Sequence, residues 1–520
     1  MKKHLIYIGI LALGFASCEP EFENPVDSGD LYSNGEADFS TYVALGNSLT
    51  AGYADNALTQ YGQTNSYPNI LAQQFSTAGG GEFTQPLMAD NIGGLLLNGE
   101  VLYGPKLVLA FDAQGNPAPK PLNEMPTTEL SNHLSGSFNN MAVPGAKSFH
   151  LVAANYGSMA GLSTGAANPY FVRFASEPGT TVVADAVAQN PTFFTLWIGS
   201  NDVLSFALSG GTGVDQTGNF DPTTYSYGDI TDPMVFEQAY KAIVGAMTAN
   251  GAKGALLTVP DVTKVPYFTT VPNNALVLTA EQAAGLTGYF QAVAGIFTQF
   301  LMQQQVPAEQ AQAIAAQYAI KFNAGPNRFI IDVPVTQTNP LGFRQMTEEE
   351  LLLLTINQTA IRQQGYGSAA ITPDVMQVLG ILQSGGQPTA EQAQLVLNAV
   401  NGIDDKDVLD SSELNSINTA RAAYNQVIEQ AAQKESLAFV DVEPFQNALA
   451  TGGISFDSGV VTDTFGTGGA FSLDGIHLTP RGYAIVANEV IAKINETYNS
   501  TVPKVNIGAY GTITPSNNVQ

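Results

Sequence analysis

Residues 39–55 read FSTYVALGNSLTAGYAD, and the change of character inside them decides the fold. The apolar run at 42–45 has strand composition and stops abruptly at Gly46, Asn47 and Ser48. Such a strand delivers a serine at its carboxyl tip, and open α/β sheets bind ligands outside the carboxyl ends of their strands. Ser48 is thereby placed for substrate rather than for packing. Taken alone, the pattern also fits a serine that caps the next helix, since serine is common at strand-to-helix turns.

Three further segments extend this reading. Residues 193–203, FFTLWIGSNDV, give a second buried strand that stops at Gly199, Ser200, Asn201 and Asp202. Residues 139–148, NNMAVPGAKS, are an apolar run followed by a Pro-Gly turn. Residues 473–483, LDGIHLTPRGY, set Asp474 and His477 three apart, with Gly475 to turn the backbone tightly and Thr479-Pro480 to cap and open a helix. The chain has four histidines, His4, His133, His150 and His477, and of these only His477 has a carboxylate in register.

Strand signals at 42–45, 193–198, 255–259 and 438–442, with another near Met141, alternate with helical signals at 67–75, 234–249, 419–434 and 480–494. That alternation predicts a three-layer α/β/α sandwich with a mostly parallel sheet. Trp197 lies inside a strand and reads as core, which leaves exposed members of the 20 tyrosines as candidate platforms for sugar rings.

In this order along the chain, the four segments resemble blocks I, II, III and V of the SGNH superfamily of GDSL esterases and lipases. The resemblance implies a flavodoxin-like sheet, Ser48 as nucleophile, His477 as general base with Asp474 behind it, and an oxyanion hole from the backbone N–H groups of Ser48 and Gly145 and the side-chain amide of Asn201. Each role has a physical reason. A neutral serine hydroxyl needs an adjacent imidazole to take its proton, and the imidazole needs a carboxylate to hold its tautomer. The tetrahedral intermediate needs preorganised donors where its charge develops. The chain departs from the family name at one place, where Asn47 replaces the aspartate of Gly-Asp-Ser-Leu and removes a charge beside the nucleophile.

The motifs run from Ser48 to His477, so 39–500 is expected to be one catalytic unit, with a tail at 501–520. The family core is shorter than this chain, so long insertions are expected to hang from it. The clearest, at about 266–412, contains four amphipathic stretches read as helices, at 279–305, 307–322, 346–364 and 388–400, and a short strand at 329–333. It is either a cap that shapes the acyl or leaving-group pocket, lined by Phe290, Phe297, Phe300, Leu301 and Met302, or a subdomain that only packs on the core. A second insertion, at 79–133, is rich in Gly, Pro and Asn and reads as irregular loops.

Two competing motifs carry less. Gly161, Leu162, Ser163, Thr164 and Gly165 match the G-x-S-x-G elbow of α/β-hydrolases, but no β-branched run precedes them, so they read as a loop. The cluster Asp404, Asp405, Asp407, Asp410 and Glu413 lacks the glycine and spacing of a calcium loop, and Asp410 with Glu413 reads as a helix-capping pair. His133 and His150 are isolated, and the proposed chemistry requires no metal or other cofactor.

Residues 1–18 have a basic start, an apolar stretch and small residues ahead of Cys18, the only cysteine in 520 residues. They resemble a bacterial lipoprotein signal, although Phe15 stands where leucine is usual; the alternative is an ordinary secretory signal with an incidental cysteine. The acidic stretch after it, 19–38, reads as a flexible tether and resembles the surface-export signals of Bacteroidetes lipoproteins. The expectation is an extracytoplasmic protein, lipid-anchored through Cys18 to the outer membrane and displayed at the cell surface. A net charge of −26 argues against nucleic acid as a partner, since phosphate binding needs clustered Lys and Arg. The expected activity is hydrolysis of a carboxylic ester, of lipid or of acylated carbohydrate; a sugar acetyl esterase and a non-catalytic surface binding lipoprotein are the alternatives.

Overall fold

Four parallel strands, Tyr42–Gly46, Phe193–Trp197, Lys253–Leu257 and Ala438–Val440, lie side by side in that order in the computed structural model, which describes residues 31–520. The signal read at 1–18, the anchor at Cys18 and the first part of the tether lie outside the described residues. The first two strands are buried along their whole length, as expected of strands covered on both faces. Trp197 is in the core and donates its indole N–H to the Thr258 carbonyl.

The segment near Met141 is not a regular strand. It runs along the free edge of Tyr42–Gly46, where Met141 donates its N–H to Ala44 O at 2.8 Å and Val143 to Gly46 O at 3.0 Å. Pro144, which has no N–H, ends the pairing there.

Two sets of helices pack on the sheet. Tyr67–Phe75 lies against Pro480–Tyr498; Val182–Val187 and Ser411–Glu435 both lie against Pro233–Thr248. Pro480–Tyr498 and Ser411–Glu435 each contact Lys253–Leu257 and Ala438–Val440. Pro480–Tyr498 starts where its sequence signals, with Thr479 Oγ1 accepting the Gly482 N–H and proline in the first turn.

The insertion at 266–412 builds two apolar cores of its own, the larger around Phe290, Phe297 and Tyr318. Helices Ala280–Gln303, Ala308–Ala315 and Ala390–Leu397 follow the expected pattern, and Thr279 with Gln282 and Thr389 with Gln392 form capping boxes. The stretch at 346–364 does not form one helix: Leu351–Leu352 pairs antiparallel with Val408–Leu409, and only Gln358–Gln363 is helical. Helix Pro373–Gln383 was not foreseen. Phe290, Phe297 and Leu301 fill the insertion's own core instead of lining a pocket, while Phe300 and Met302 are exposed.

The second insertion is also more regular than its composition suggests. It forms two hairpins, Leu95–Leu97 with Glu100–Tyr103 and Leu107–Phe111 with Pro117–Pro121. The end of the expected tether and the tail are tied down as well. Glu36 donates its N–H to Tyr498 O, so the last tether residues belong to the fold, and Leu109 donates to Thr514 O, so the tail lies on the second hairpin. No helix among the described residues is long and apolar enough to cross a membrane.

Candidate active site

The first strand ends at Gly46, and Ser48 opens the short helix Ser48–Ala51, with Asn47 Oδ1 accepting the Leu49 N–H at 3.1 Å. Ser48 Oγ lies 2.8 Å from His477 Nε2, and His477 Nδ1 lies 2.9 Å from Asp474 Oδ2. The three side chains thus form one hydrogen-bonded chain from hydroxyl to carboxylate.

Asp474 is held in place by its own loop and by a distant one. Its Oδ1 accepts the N–H groups of Ile476 and His477, both at 2.8 Å, and the Ser472 hydroxyl at 3.1 Å; its Oδ2 also accepts the Asn56 N–H at 2.9 Å. Burial alone pushes this carboxyl up. The His477 charge and the hydrogen bonds from His477 and Asn56 outweigh that, so Asp474 is held well below the usual carboxylate range. Gly475 makes the tight turn between Asp474 and His477 with φ +72°, a left-handed conformation that favours glycine.

The other side of the serine is built from two neighbouring strand ends. Trp197 is opposite Gly46 in register, and Val143 is hydrogen-bonded to the Gly46 carbonyl, so Asn201 and Gly145 flank the tip that carries Ser48. Gly145 has φ +82°, and a Cβ there would approach only the Asn168 amide and the Tyr227 hydroxyl, at 3.8 and 3.9 Å. Asn201 donates one amide hydrogen to Ala146 O at 2.9 Å; a side-chain amide has two. Asp202, fully buried, accepts the Ser148 N–H at 2.9 Å and hydroxyl at 2.8 Å, which fastens 145–148 to the helix that starts at Asn201. Buried Lys147 donates to the Asp229 carbonyl; burial pushes its ammonium down, against the pull of Asp202 and Asp229.

The competing residues fall elsewhere. Ser163 is exposed on the 3₁₀ turn Met159–Thr164, with no strand leading into it, and it is Ser48 that meets His477. His150 accepts the Lys147 N–H at 3.0 Å and stacks on Tyr156; burial, with the Lys147 charge, pushes it down to about 3. His133 contacts the Val172 carbonyl. Asp410 and Glu413 form a capping box on Ser411–Glu435, and no group of His, Cys, Asp and Glu among the described residues could hold a metal ion.

Tyrosines border the site. The Tyr53 ring is 4.7 Å from the His477 ring, Tyr103 stacks on Tyr170 at 5.8 Å, and Tyr103 and Tyr227 are exposed. Burial pushes the Tyr53 phenol up, and nearby Asp474 and Tyr103 push it further. A cavity of 710 Å³, lined by Phe149, His150, Tyr225 and Val235 among others, touches neither Ser48 nor His477.

Sequence reasoning missed the turn at Asp55 and Asn56. Ala54 and Ala57 exchange backbone hydrogen bonds of 3.1 and 3.0 Å, and the two residues between them have φ +54° and +62°. Two left-handed residues in a two-residue hairpin define a type I′ turn, and an Asp-Asn dipeptide is a signal for one. Compared with protein-family models, curated proteins and solved structures, the chain has no match in any of the three.

Proposed function

We propose that this protein is a serine esterase of SGNH type that cleaves carboxylic esters through an acyl-enzyme. The observation that carries this reading is the unbroken relay from Ser48 Oγ through His477 to Asp474, at 2.8 and 2.9 Å. In the proposed reaction, Nε2 of His477 takes the Ser48 proton as Oγ attacks the ester carbonyl carbon. Asp474, ionised across the working range, holds the Nδ1 proton and stabilises the imidazolium. The oxyanion is received by the N–H groups of Ser48 and Gly145 and the free amide hydrogen of Asn201, each such donor contributing about 10²–10³ in rate. Collapse expels the alcohol, which takes its proton from Nε2, and water attacking the acyl-enzyme repeats the sequence to release the acid.

The fold supports the same reading. With 139–143 counted as the second strand, the sheet order is 2-1-3-4-5, the order of flavodoxin-like doubly wound sheets, and helices on both faces would complete a three-layer α/β/α sandwich. Asn47, where the family has aspartate, keeps the capping role through its Oδ1 while its Nδ2 has no partner.

A second reading, an ester carried on carbohydrate, is favoured by the tyrosines at the mouth of the site. Amphipathic phenol rings suit sugar faces and hydroxyls better than acyl chains. The lipid anchor on Cys18 and an extracytoplasmic site of action belong to this proposal and rest on the sequence of residues 1–38; loss of fatty-acid labelling in Cys18→Ala is the expected check.

Hydrolysis of nitrophenyl esters from acetate to palmitate, alongside acetylated xylan, tests the function. Turnover is expected, with Ser48→Ala lowering kcat by about 10⁴-fold or more. Activity confined to acetate and xylan selects the carbohydrate reading. No turnover of any substrate, or Ser163→Ala abolishing activity while Ser48→Ala retains it, would overturn the assignment.

A further inference from the structure

We propose that Asp55 is a positioning residue of this site: its turn fastens the loop that carries Asp474 and His477, and its carboxylate holds that loop at Leu473. The inference rests on the esterase reading of Ser48, His477 and Asp474.

The turn at 54–57 follows Ser48 by only a few residues, so nucleophile and clamp belong to one short segment. From that segment three bonds cross to the other end of the chain. Asp55 donates its N–H to Ser472 Oγ at 2.9 Å, Leu473 donates its N–H to Asp55 Oδ1 at 2.9 Å, and Asn56 donates its N–H to Asp474 Oδ2 at 2.9 Å. Ser472 passes the first contact on, donating its hydroxyl to Asp474 Oδ1 at 3.1 Å. The spacing between Ser48 Oγ and His477 Nε2 is therefore held through this turn as well as through the core.

The charged groups facing the Asp55 carboxyl are Asp474 and His477 on the clamped loop and Lys106 ahead of the second hairpin. The phenols of Tyr61 and Tyr483 share a small cavity with it. Burial pushes the carboxyl up, the Leu473 N–H pulls it back, and Asp474 pushes again, which brings it to about 6, in the range of an ordinary imidazole. Ionised Asp55 places a second negative charge near Asp474; protonated Asp55 does not.

Asp55→Asn separates the acceptor from the charge, because its amide oxygen can still accept the Leu473 N–H while the charge is gone. Its melting temperature is expected to gain on wild type from about pH 4 to pH 6, the range over which the raised carboxyl loses its advantage. Asp55→Ala, which loses the acceptor, is expected to lower kcat by about 10- to 100-fold with KM nearly unchanged, and Asp55→Asn to restore most of that loss. The NMR signal of the His477 Nδ1 proton, held on Asp474, reports the placement of the loop without substrate and is expected to persist in Asp55→Asn and to broaden in Asp55→Ala. If no ester is turned over, the esterase reading fails and that signal still decides the role of Asp55. An Asp55→Ala protein that folds and keeps both the kcat and the Nδ1 proton signal of wild type would overturn the proposal. Should Asp55→Ala not fold, Asp55→Glu, which moves the carboxylate by one methylene, is expected to lower kcat by about 10-fold, and wild-type kcat in Asp55→Glu overturns it equally.

Discussion

Asp474 accepts five hydrogen bonds, and that has two measurable effects. Asp474→Asn cannot enforce the Nδ1–H tautomer of His477, so kcat is expected to fall by about 10⁴-fold with little change in KM. The second effect is on stability. The carboxyl titrates lower in the folded protein than in the unfolded chain, so its contribution is present above the ordinary aspartate value of about 4 and is lost as pH falls toward the folded value. Melting curves in acid should show wild type losing stability below about pH 4 more steeply than Asp474→Asn. At this scale the arrangement was legible: an aspartate and a histidine three apart on a glycine turn, and a serine at a strand tip. Asp55 was not, because its role depends on contacts across more than four hundred residues.

Among the elements, the start of Ser411–Glu435 offers the sharpest test. Glu413 closes the capping box by accepting the Asp410 N–H at 2.7 Å; burial, then Asp410, Asp405 and Glu350, push its carboxyl up to about 8. A raised carboxyl favours the folded state fully only below its unfolded pKa, and that advantage is lost as pH rises through the folded value. Glu413→Gln keeps the acceptor without the charge. Its melting temperature is expected to gain on wild type steadily from about pH 5 to pH 8. The long helices and core strands were readable because their apolar periodicity and caps agreed with their surroundings. The stretch at 346–364 was misread because MTEEE resembles a helix start, whereas Glu350 is buried against Arg344 at 2.6 Å and accepts the Thr347 and Ser411 N–H groups. A tertiary ion pair overrode the local signal. The hairpin at 95–103 was missed although Asn98-Gly99 between apolar residues announces it; both have positive φ, as in the turn at Asp55 and Asn56.

For the molecule as a whole, the insertion buries apolar cores of its own, while Phe268, Leu353 and Leu409 join the core of the sheet. Phe290→Ala should cost about 3–5 kcal/mol within the insertion. It is expected to lower a first calorimetric transition while leaving labelling of Ser48 by a fluorophosphonate unchanged in the cold. The insertion nevertheless reaches the site, since Tyr267 at its root donates its N–H to Gly475 O at 2.9 Å. Ser48 and His477 are 429 residues apart and meet only when the last long helix, Pro480–Tyr498, has docked on the sheet. On the proposed chemistry, a nascent chain that has not reached His477 and the helix after it is inert, however well its serine is placed. Esterase activity would therefore mark a chain synthesised past Tyr498, and fragments left by translation stalled before that point would be harmless to the esters around them.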